Sequence, residues 1–209
     1  KHIISSAIVH PAIYKGLEFL ESHGFEISIL PVDEKGHISL TELEKTLRED
    51  TVMVSIMTVN NEMGAVEDIH AIGELIKKKN PNCLFHTDAI QAYGKMILHP
   101  KKDFVDLLSV SGHKLHGPKG IGFLFIDEKV KINPILFGGG QQGGLRSGTL
   151  NIPGIAGMGL AAKMIYQDFP KKIEKLYELK DYFIEELEKL PEVKVNSEKG
   201  KASAPQIVS

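Results

Sequence analysis

The stretch Phe25–Val59, FEISILPVDEKGHISLTELEKTLREDTVMVSIMTV, decides the fold of this chain. Two short apolar runs rich in β-branched residues, Phe25–Val32 and Thr51–Val59, are typical of strands buried in a parallel sheet. Between them leucines recur at helical spacing, and Ser39 with Glu42 three residues later forms the pattern of a capping box. The order strand, helix, strand predicts one unit of a parallel α/β sheet.

The same alternation continues outward from this unit. Glu67–Asn80 carries isoleucine and leucine on one helical face, and Pro153–Leu190 is a long helical pattern interrupted at Pro170. Further strands are predicted at CLFHTDA, FVDLLSVS and GIGFLFID. We therefore predict an α/β fold, a three-layer sandwich with a mainly parallel sheet. The site is expected outside the carboxyl ends of the strands.

Two structural units are expected along the chain. Residues 1–168 would form most of a large domain, and residues 169–209 a connecting helix and the start of a smaller α/β domain. The first strands of that smaller domain are predicted at EVKV and PQIVS. Because Lys1–Ile4 resembles a strand already under way and Ala204–Ser209 one just beginning, the chain is interpreted as a fragment of a longer protein.

Composition narrows the functional classes. Of 209 residues, 42% are hydrophobic and 25% charged, as in ordinary globular proteins. The formal net charge of −2 gives no electrostatic reason to expect binding to nucleic acid or to a membrane surface. No apolar run approaches the roughly 20 residues that span a bilayer. The single Cys83 is interpreted as a structural thiol, and a cytoplasmic location is expected.

Polar side chains follow the predicted strands at the points where the strands end. Taken singly, each has an ordinary structural interpretation, because turns, helix caps and solvated surfaces use the same residue types. Their recurrence at successive strand ends indicates a site, since the carboxyl ends of parallel strands meet at one edge of a sheet. The candidates are His10, the stretch Asn60–Gly64, Asp88, Gln91, Ser111, His113 and Lys114.

These residue types favour a carbonyl cofactor held by an amine. A lysine can form a Schiff base, an aspartate facing a ring nitrogen keeps that nitrogen protonated, and serine and histidine donors can hold a phosphate. Together they suit pyridoxal phosphate. No cluster has convincing metal-ligand spacing, so no metal site is predicted. The glycine-rich stretch Phe137–Thr149 matches neither a dinucleotide-binding motif nor a P-loop.

The stretch Ser109–Gly120 contains two lysines with different surroundings. Lys114 follows directly on a strand end, next to Ser-Gly-His. Lys119 lies in Gly-Pro-Lys-Gly, which is typical of a tight turn. We expect Lys114 to carry the chemistry and Lys119 to have a structural or surface role.

Four blocks identify a family by resemblance: TVNNEMGAVEDI, FHTDAIQAYGK, SVSGHKLHGPKGIGFLFI and FGGGQQGGLRSGTLNIPGIAGMG. They closely resemble blocks of the cysteine desulfurases, the NifS/IscS-like group of the class V aminotransferases, which are fold-type I pyridoxal phosphate enzymes. The likeness extends from about His2 to Ser209 and covers about the middle half of a family member. It implies an enzyme that converts L-cysteine to L-alanine. In such an enzyme the sulfur would pass to an enzyme cysteine as a persulfide, for iron–sulfur cluster assembly or other thiolation.

The resemblance also implies a role for each candidate residue. Lys114 would be the Schiff-base lysine, and His10 would stack on the cofactor ring and assist proton transfer. Thr149 would reach the phosphate of the neighbouring subunit's cofactor, which implies a homodimer, with Arg146 in the same loop. The remaining cofactor contacts would be Asp88 at the ring nitrogen, Gln91 at the ring 3′-oxygen, Asn61 at the cofactor oxygen, and Ser111 and His113 at the phosphate.

The chain also departs from the family's pattern. The nucleophilic cysteine and the arginine that binds the substrate carboxylate are expected beyond Ser209, and a phosphate-binding turn before Lys1. Cys83 does not match the position of the nucleophile. Other interpretations therefore stay open: another class V enzyme, such as a selenocysteine lyase or an aminotransferase, or a non-catalytic scaffold that docks an iron–sulfur assembly partner.

Overall fold

Six strands form one twisted sheet in the computed structural model, which describes residues 1–209. Strands β1 to β5 are parallel and β6 is antiparallel to β5, in the order β2-β1-β3-β4-β5-β6. The predicted mainly parallel sheet is confirmed. The strands are β1 (His2–Ser6), β2 (Glu26–Leu30), β3 (Thr51–Met57), β4 (Leu84–Asp88), β5 (Leu107–Ser111) and β6 (Gly122–Ile126).

Five α-helices connect or follow these strands: α1 (Pro11–Ser22), α2 (Leu40–Thr46), α3 (Ile69–Lys79), α4 (Ile152–Tyr166) and α5 (Phe169–Leu187). The Ser39 side chain accepts the backbone N–H of Glu42 at 3.3 Å, so the predicted cap of α2 is present. The long helical pattern is broken at Asp168, whose φ of 55° is left-handed and cannot continue a helix. No helix combines the length and apolar character needed to cross a bilayer.

The strand order reverses at β1, which creates the crevice for a site. From β1 the chain turns outward to β2, then returns to β3 and continues to β4 and β5 on the other side. Because crossovers between parallel strands are right-handed, α1 lies on the opposite face of the sheet from α2 and α3. The helices that follow β1 and β3 therefore leave the sheet on opposite faces, which makes the carboxyl edge between these two strands the switch point where a ligand crevice is expected.

The main core fills one face of the central strands. Ile4, Val54, Phe85 and Leu108 come from four adjacent strands and are buried in one cluster of 20 residues. Helices α2 and α3 add Leu43, Ile72 and Ile76 to this cluster. Each such side chain stabilises the fold by about 1.5–3 kcal/mol on burial. The core thus fixes the strands whose ends carry the candidate site.

The C-terminal segment differs from prediction. EVKV and PQIVS were expected as strands, but neither forms one. The chain just after EVKV meets the end of PQIVS instead: the N–H of Asn196 donates to the carbonyl of Ser209 at 2.7 Å, and the N–H of Ser209 donates to Ser197 Oγ at 2.8 Å. The buried Lys180 of α5 organises the turn between the two segments, donating to three carbonyls: Glu198, Gly200 and Ser203. Without a continuous partner strand, β propensity alone forms no ladder. The division at residue 168 stays a prediction.

Candidate active site

The ends of the parallel strands are tied together at the carboxyl edge of the sheet. Each of three neighbouring pairs of strand ends is joined by a hydrogen bond that lies just beyond the regular ladder. The bonds run from Asn60 Nδ2 to the carbonyl of Ile8 (2.9 Å), from the N–H of Thr58 to the carbonyl of Asp88 (2.9 Å), and from the N–H of Ala89 to the carbonyl of Ser109 (3.0 Å). Residues that follow β1, β3, β4 and β5 are therefore held at one edge.

Asp88 is a buried carboxylate at this edge. It is 4% exposed, and its one side-chain hydrogen bond comes from the backbone N–H of Ile90 at 2.9 Å. Burial raises the pKa of Asp88, while that hydrogen bond and the charge of nearby His10 act in the opposite direction. No cationic side chain is paired with the carboxylate, so a cation bound beside it would lower the pKa and stabilise the ionised form.

Lys114 projects from a 3₁₀ turn, Gly112–Leu115, that directly follows β5. Leu115 is 1% exposed and anchors the turn, whereas the side chains of His113 and Lys114 are exposed. Gly112 is required, because a Cβ there would lie 2.9 Å from Ile121 Cγ2. The turn thus buries its apolar members and presents the histidine and the lysine outward.

His10 and the two asparagines lie on either side of the crevice between β1 and β3. His10 caps α1, its Nδ1 accepting the N–H of Ala12 at 3.1 Å, which leaves Nε2 available. Asn60 is 4% exposed, and its Oδ1 accepts hydrogen bonds from the backbone N–H groups of Glu62 and Met63. Asn61 is half-buried, with no side-chain hydrogen bond. The first asparagine builds the loop and the second is free to bind a ligand.

Gln91 and Ser111 are half-buried at the same edge. Their side chains form no hydrogen bonds within the chain. The backbone carbonyl of Gln91 accepts Gln206 Nε2 at 3.0 Å, so the C-terminal segment supports the turn that carries Gln91. Sequence patterns did not point to Gln206, because an isolated glutamine in an apolar segment carries no local signal.

Thr149 and Arg146 lie apart from the strand edge. Both are exposed, on the glycine-rich loop Phe137–Thr149. The loop's hydrogen bonds are local, such as the Gly148 N–H to Gln141 Oε1 at 2.9 Å, and none reaches a strand end. The structure brings the other seven candidate residues to one edge, but not Thr149.

A row of buried and half-buried polar side chains, two residues before the strand ends, was not predicted. His86, two residues before Asp88, is joined through Nδ1 to Ser55 Oγ at 2.8 Å and through Nε2 to Ser109 Oγ at 2.9 Å. Burial lowers its pKa to about 4, so the imidazole is neutral near neutral pH. The row links β3, β4 and β5 and fixes the strands that end in Asp88 and Ser111. Its two-residue spacing from those residues is the signal that could have revealed it.

The residues present fit pyridoxal phosphate. The buried carboxylate of Asp88 lacks the positive partner that a protonated ring nitrogen would supply, and Lys114 lies at the same edge. Asn61, Gln91, Ser111 and His113 add unpaired donors around them. No group of three or more His, Cys, Asp or Glu residues is arranged to hold a metal ion. Cys83 is fully buried and its pKa is raised to about 11 by burial, in agreement with a structural thiol.

Comparison with known proteins gives the same family as the sequence blocks. The Aminotransferase class-V family matches residues 1–209. The cysteine desulfurase IscS of Dictyoglomus turgidum is 46% identical over 189 residues, which are 90% of this chain and 48% of that protein. A solved NifS-like protein superposes with a TM-score of 0.94 at 38% identity, covering 98% of this chain and 56% of that one. SspA in complex with cysteine gives 0.74 at 37% identity, covering 83% and 52%. The chain spans about half the length of the curated relatives it matches.

Proposed function

The chain belongs to the class-V aminotransferase family, and on that premise we propose that the whole protein is a pyridoxal phosphate-dependent cysteine desulfurase. It would convert L-cysteine to L-alanine and transfer the sulfur to an enzyme cysteine, for iron–sulfur cluster assembly or other thiolation. Relatives named cysteine desulfurase and a related structure in complex with cysteine support this substrate.

One observation carries the proposal, namely the unpaired carboxylate of Asp88 at the same sheet edge as Lys114. A carboxylate that is only 4% exposed is stabilised by a positive partner, and no side chain of this chain forms an ion pair with Asp88. A protonated pyridine nitrogen supplies that charge, and the aldehyde of the same cofactor suits a lysine amine. When bound, pyridoxal phosphate would supply an electron-withdrawing ring that weakens bonds next to the substrate α-carbon.

The residues of this chain would divide the work at the strand edge. Ser111 and His113 would hold the phosphate, and Asp88 would keep the ring nitrogen charged. Gln91 would bind the ring 3′-oxygen. Asn61, at the loop after β3, would orient the cofactor oxygen and the substrate carboxylate. Each of these side chains except Asp88 is without a hydrogen bond inside the chain, so binding would break none.

His10 would stack on the ring and move a proton. Its Nδ1 is occupied by the N–H of Ala12, so Nε2 is the atom that would exchange protons with the substrate. Thr149, which does not reach the strand edge of its own chain, would bind the phosphate in the neighbouring subunit. A homodimer with shared sites follows, with an iron–sulfur scaffold or another protein as sulfur acceptor.

The test is a product analysis of the full-length protein with pyridoxal phosphate and L-cysteine. Alanine and sulfide in equal amounts, in the presence of a reductant, are expected. A keto acid product without alanine would indicate an aminotransferase instead of a desulfurase. No turnover with any amino acid, despite a folded protein, would favour the scaffold interpretation.

A further inference from the structure

Lys95 is a second lysine in contact with the turn that carries Lys114. Its Nζ donates a hydrogen bond to the backbone carbonyl of Lys114 at 3.1 Å. We propose that Lys95 is a positioning residue that holds Lys114 in place for attack on the cofactor aldehyde. The inference rests on the proposed function, because it presupposes that Lys114 captures the cofactor.

The carbonyl that Lys95 binds needs a partner from outside its own turn. The 3₁₀ turn Gly112–Leu115 ends at His116, whose φ of 64° reverses the chain. The N–H of Gly117 closes the turn on the carbonyl of Gly112 at 2.9 Å. Carbonyls in the last turn of a helix lack an intrahelical donor, and a lysine ammonium is a favourable partner there. Lys95 supplies that donor at the residue that carries the reactive amine.

The segment that carries Lys95 is itself held firmly. Tyr166, the last residue of α4, accepts the N–H of Gly94 at 3.0 Å and donates to the carbonyl of Met96 at 3.3 Å. Gly94 has a φ of 80°, and a Cβ there would lie 2.9 Å from Ile165. The backbone on both sides of Lys95 is therefore anchored to α4. The ammonium group extends from a rigid base.

Helix α4 also packs against the turn beyond Lys114. A Cβ at Gly157 would lie 2.7 Å from Pro118 Cγ, so the helix and this turn are in close contact. The two turns thus share one support, and the Lys95–Lys114 hydrogen bond joins them directly. This arrangement restricts how far Lys114 can shift relative to Asp88, which lies on the strand that leads into the Lys95 turn.

The two amines differ in what they can do. Nζ of Lys95 is half-buried and engaged, whereas Nζ of Lys114 is exposed and makes no hydrogen bond. Burial lowers the pKa of Lys95, and the charge of Lys114 adds to that effect, which places the two ammonium groups within interaction distance. In the capture step the Lys114 nitrogen bonds to the aldehyde carbon, and the carbonyl oxygen leaves as water with no redox change. Lys95 forms no covalent bond.

The test measures capture separately from binding, in the full-length protein. Apoprotein is mixed with pyridoxal phosphate, quenched with borohydride at intervals, and the label on the Lys114 peptide is quantified by mass spectrometry. Affinity for 4′-deoxypyridoxine 5′-phosphate, which lacks the aldehyde, reports non-covalent binding. In Lys95→Met we expect capture to slow about tenfold, as for the loss of one charged hydrogen bond, with unchanged affinity for the analogue.

Two further variants separate positioning from a general structural effect. Lys95→Arg keeps a charged donor and should restore capture to within about threefold of the wild type. Lys119→Met removes a nearby surface lysine with no side-chain hydrogen bond and should capture at the wild-type rate. If Lys95→Met captures the cofactor at the wild-type rate, the inference about Lys95 is wrong but the proposed function still stands. The same conclusion would follow from equal losses in capture, analogue affinity and melting temperature. If the wild type acquires no label at Lys114, the proposed function falls with it.

Discussion

The strand edge and the glycine-rich loop Phe137–Thr149 both carry candidate residues, but they differ in how the rest of the chain supports them. At the strand edge the exposed Lys114 stands beside Leu115, which is 1% exposed and belongs to the main core. In the loop, Phe137 is 83% exposed and Thr149 makes no hydrogen bond. The chain builds the first region from its own core. The second region presents its side chains outward, which is what a group serving a neighbouring subunit requires.

The largest expected effect is the recovery of activity in a mixed dimer, in which one subunit carries a defect at the strand edge and the other a defect in the loop. Lys114→Ala in one subunit and Thr149→Ala in the other leave one intact site only if Thr149 acts across the interface. We expect each variant homodimer to be impaired, and co-refolded mixtures to regain desulfurase activity to about a quarter of the wild type. That value follows because half of the dimers would be mixed and each would have one complete site.

The result that would contradict this arrangement is equally definite. If Thr149 acted within its own chain, every site in the mixture would carry one of the two defects. The mixture would then never exceed the mean of its two parents. Activity per mixed dimer can be measured after tagging the two subunits differently and purifying the hybrid.

Truncating one large apolar side chain in each region compares their contributions to stability. Leu115→Ala removes a side chain from the core below Lys114 and should lower the free energy of unfolding by about 2–5 kcal/mol. Phe137→Ala should change it by less than about 0.5 kcal/mol at a concentration that keeps the chain monomeric. Urea unfolding measures both. Equal losses would mean that the loop belongs to the same cooperative core.

The smallest net effect is expected in the pH dependence of stability. Two buried ionisable groups near the strand edge change the free energy of unfolding in opposite directions as the pH rises. The pKa of Glu67 is raised by burial from 4.5 to about 7, so the folded state holds a proton that the unfolded chain releases, and stability falls as pH rises through that range. The pKa of His86 is lowered by burial from 6.5 to about 4, so stability rises as pH rises through that range. Each difference corresponds to about 3 kcal/mol.

Removing one of these groups should reveal the other. Glu67→Gln keeps an acceptor for the N–H of Ile38, which Glu67 Oε1 accepts at 3.0 Å. The variant should be more stable than the wild type by up to about 3 kcal/mol well above pH 7, with the difference vanishing below about pH 4.5. Thermal unfolding across this pH range checks it. A constant difference at all pH values would mean that Glu67 does not titrate there. The loop's one ionisable side chain, Arg146, is exposed and offers no such effect.

The strands and helices near the site were predictable because local pattern and tertiary burial agree. Thr51–Val59 is β-branched and apolar, and its strand lies in the centre of the sheet. The Ser39 cap was visible because it depends on residues only three apart. EVKV alternates valines with charged residues, as a strand can, but it has no partner strand, and a partner's presence is a property of the whole fold.

The candidate site was predictable where chain position fixes the geometry. Asp88 and Ser111 end neighbouring parallel strands, so their meeting at one edge follows from the strand pattern. Lys95 was missed because its contact with Lys114 is set by α4, some 60 to 70 residues further along the chain. The different roles of Asn60 and Asn61 were also beyond sequence patterns. They depend on which side chain faces the carbonyl of Ile8.

The central claim is that Lys114 holds pyridoxal phosphate with Asp88 as its charge partner, and one measurement tests it directly. Protein is mixed with pyridoxal phosphate, its absorbance is recorded, and borohydride is added before peptide mapping. The account predicts a yellow band that borohydride removes, a single phosphopyridoxyl label on Lys114, and neither band nor label in Lys114→Ala. A band that survives in Lys114→Ala, or a label on another lysine, would contradict it.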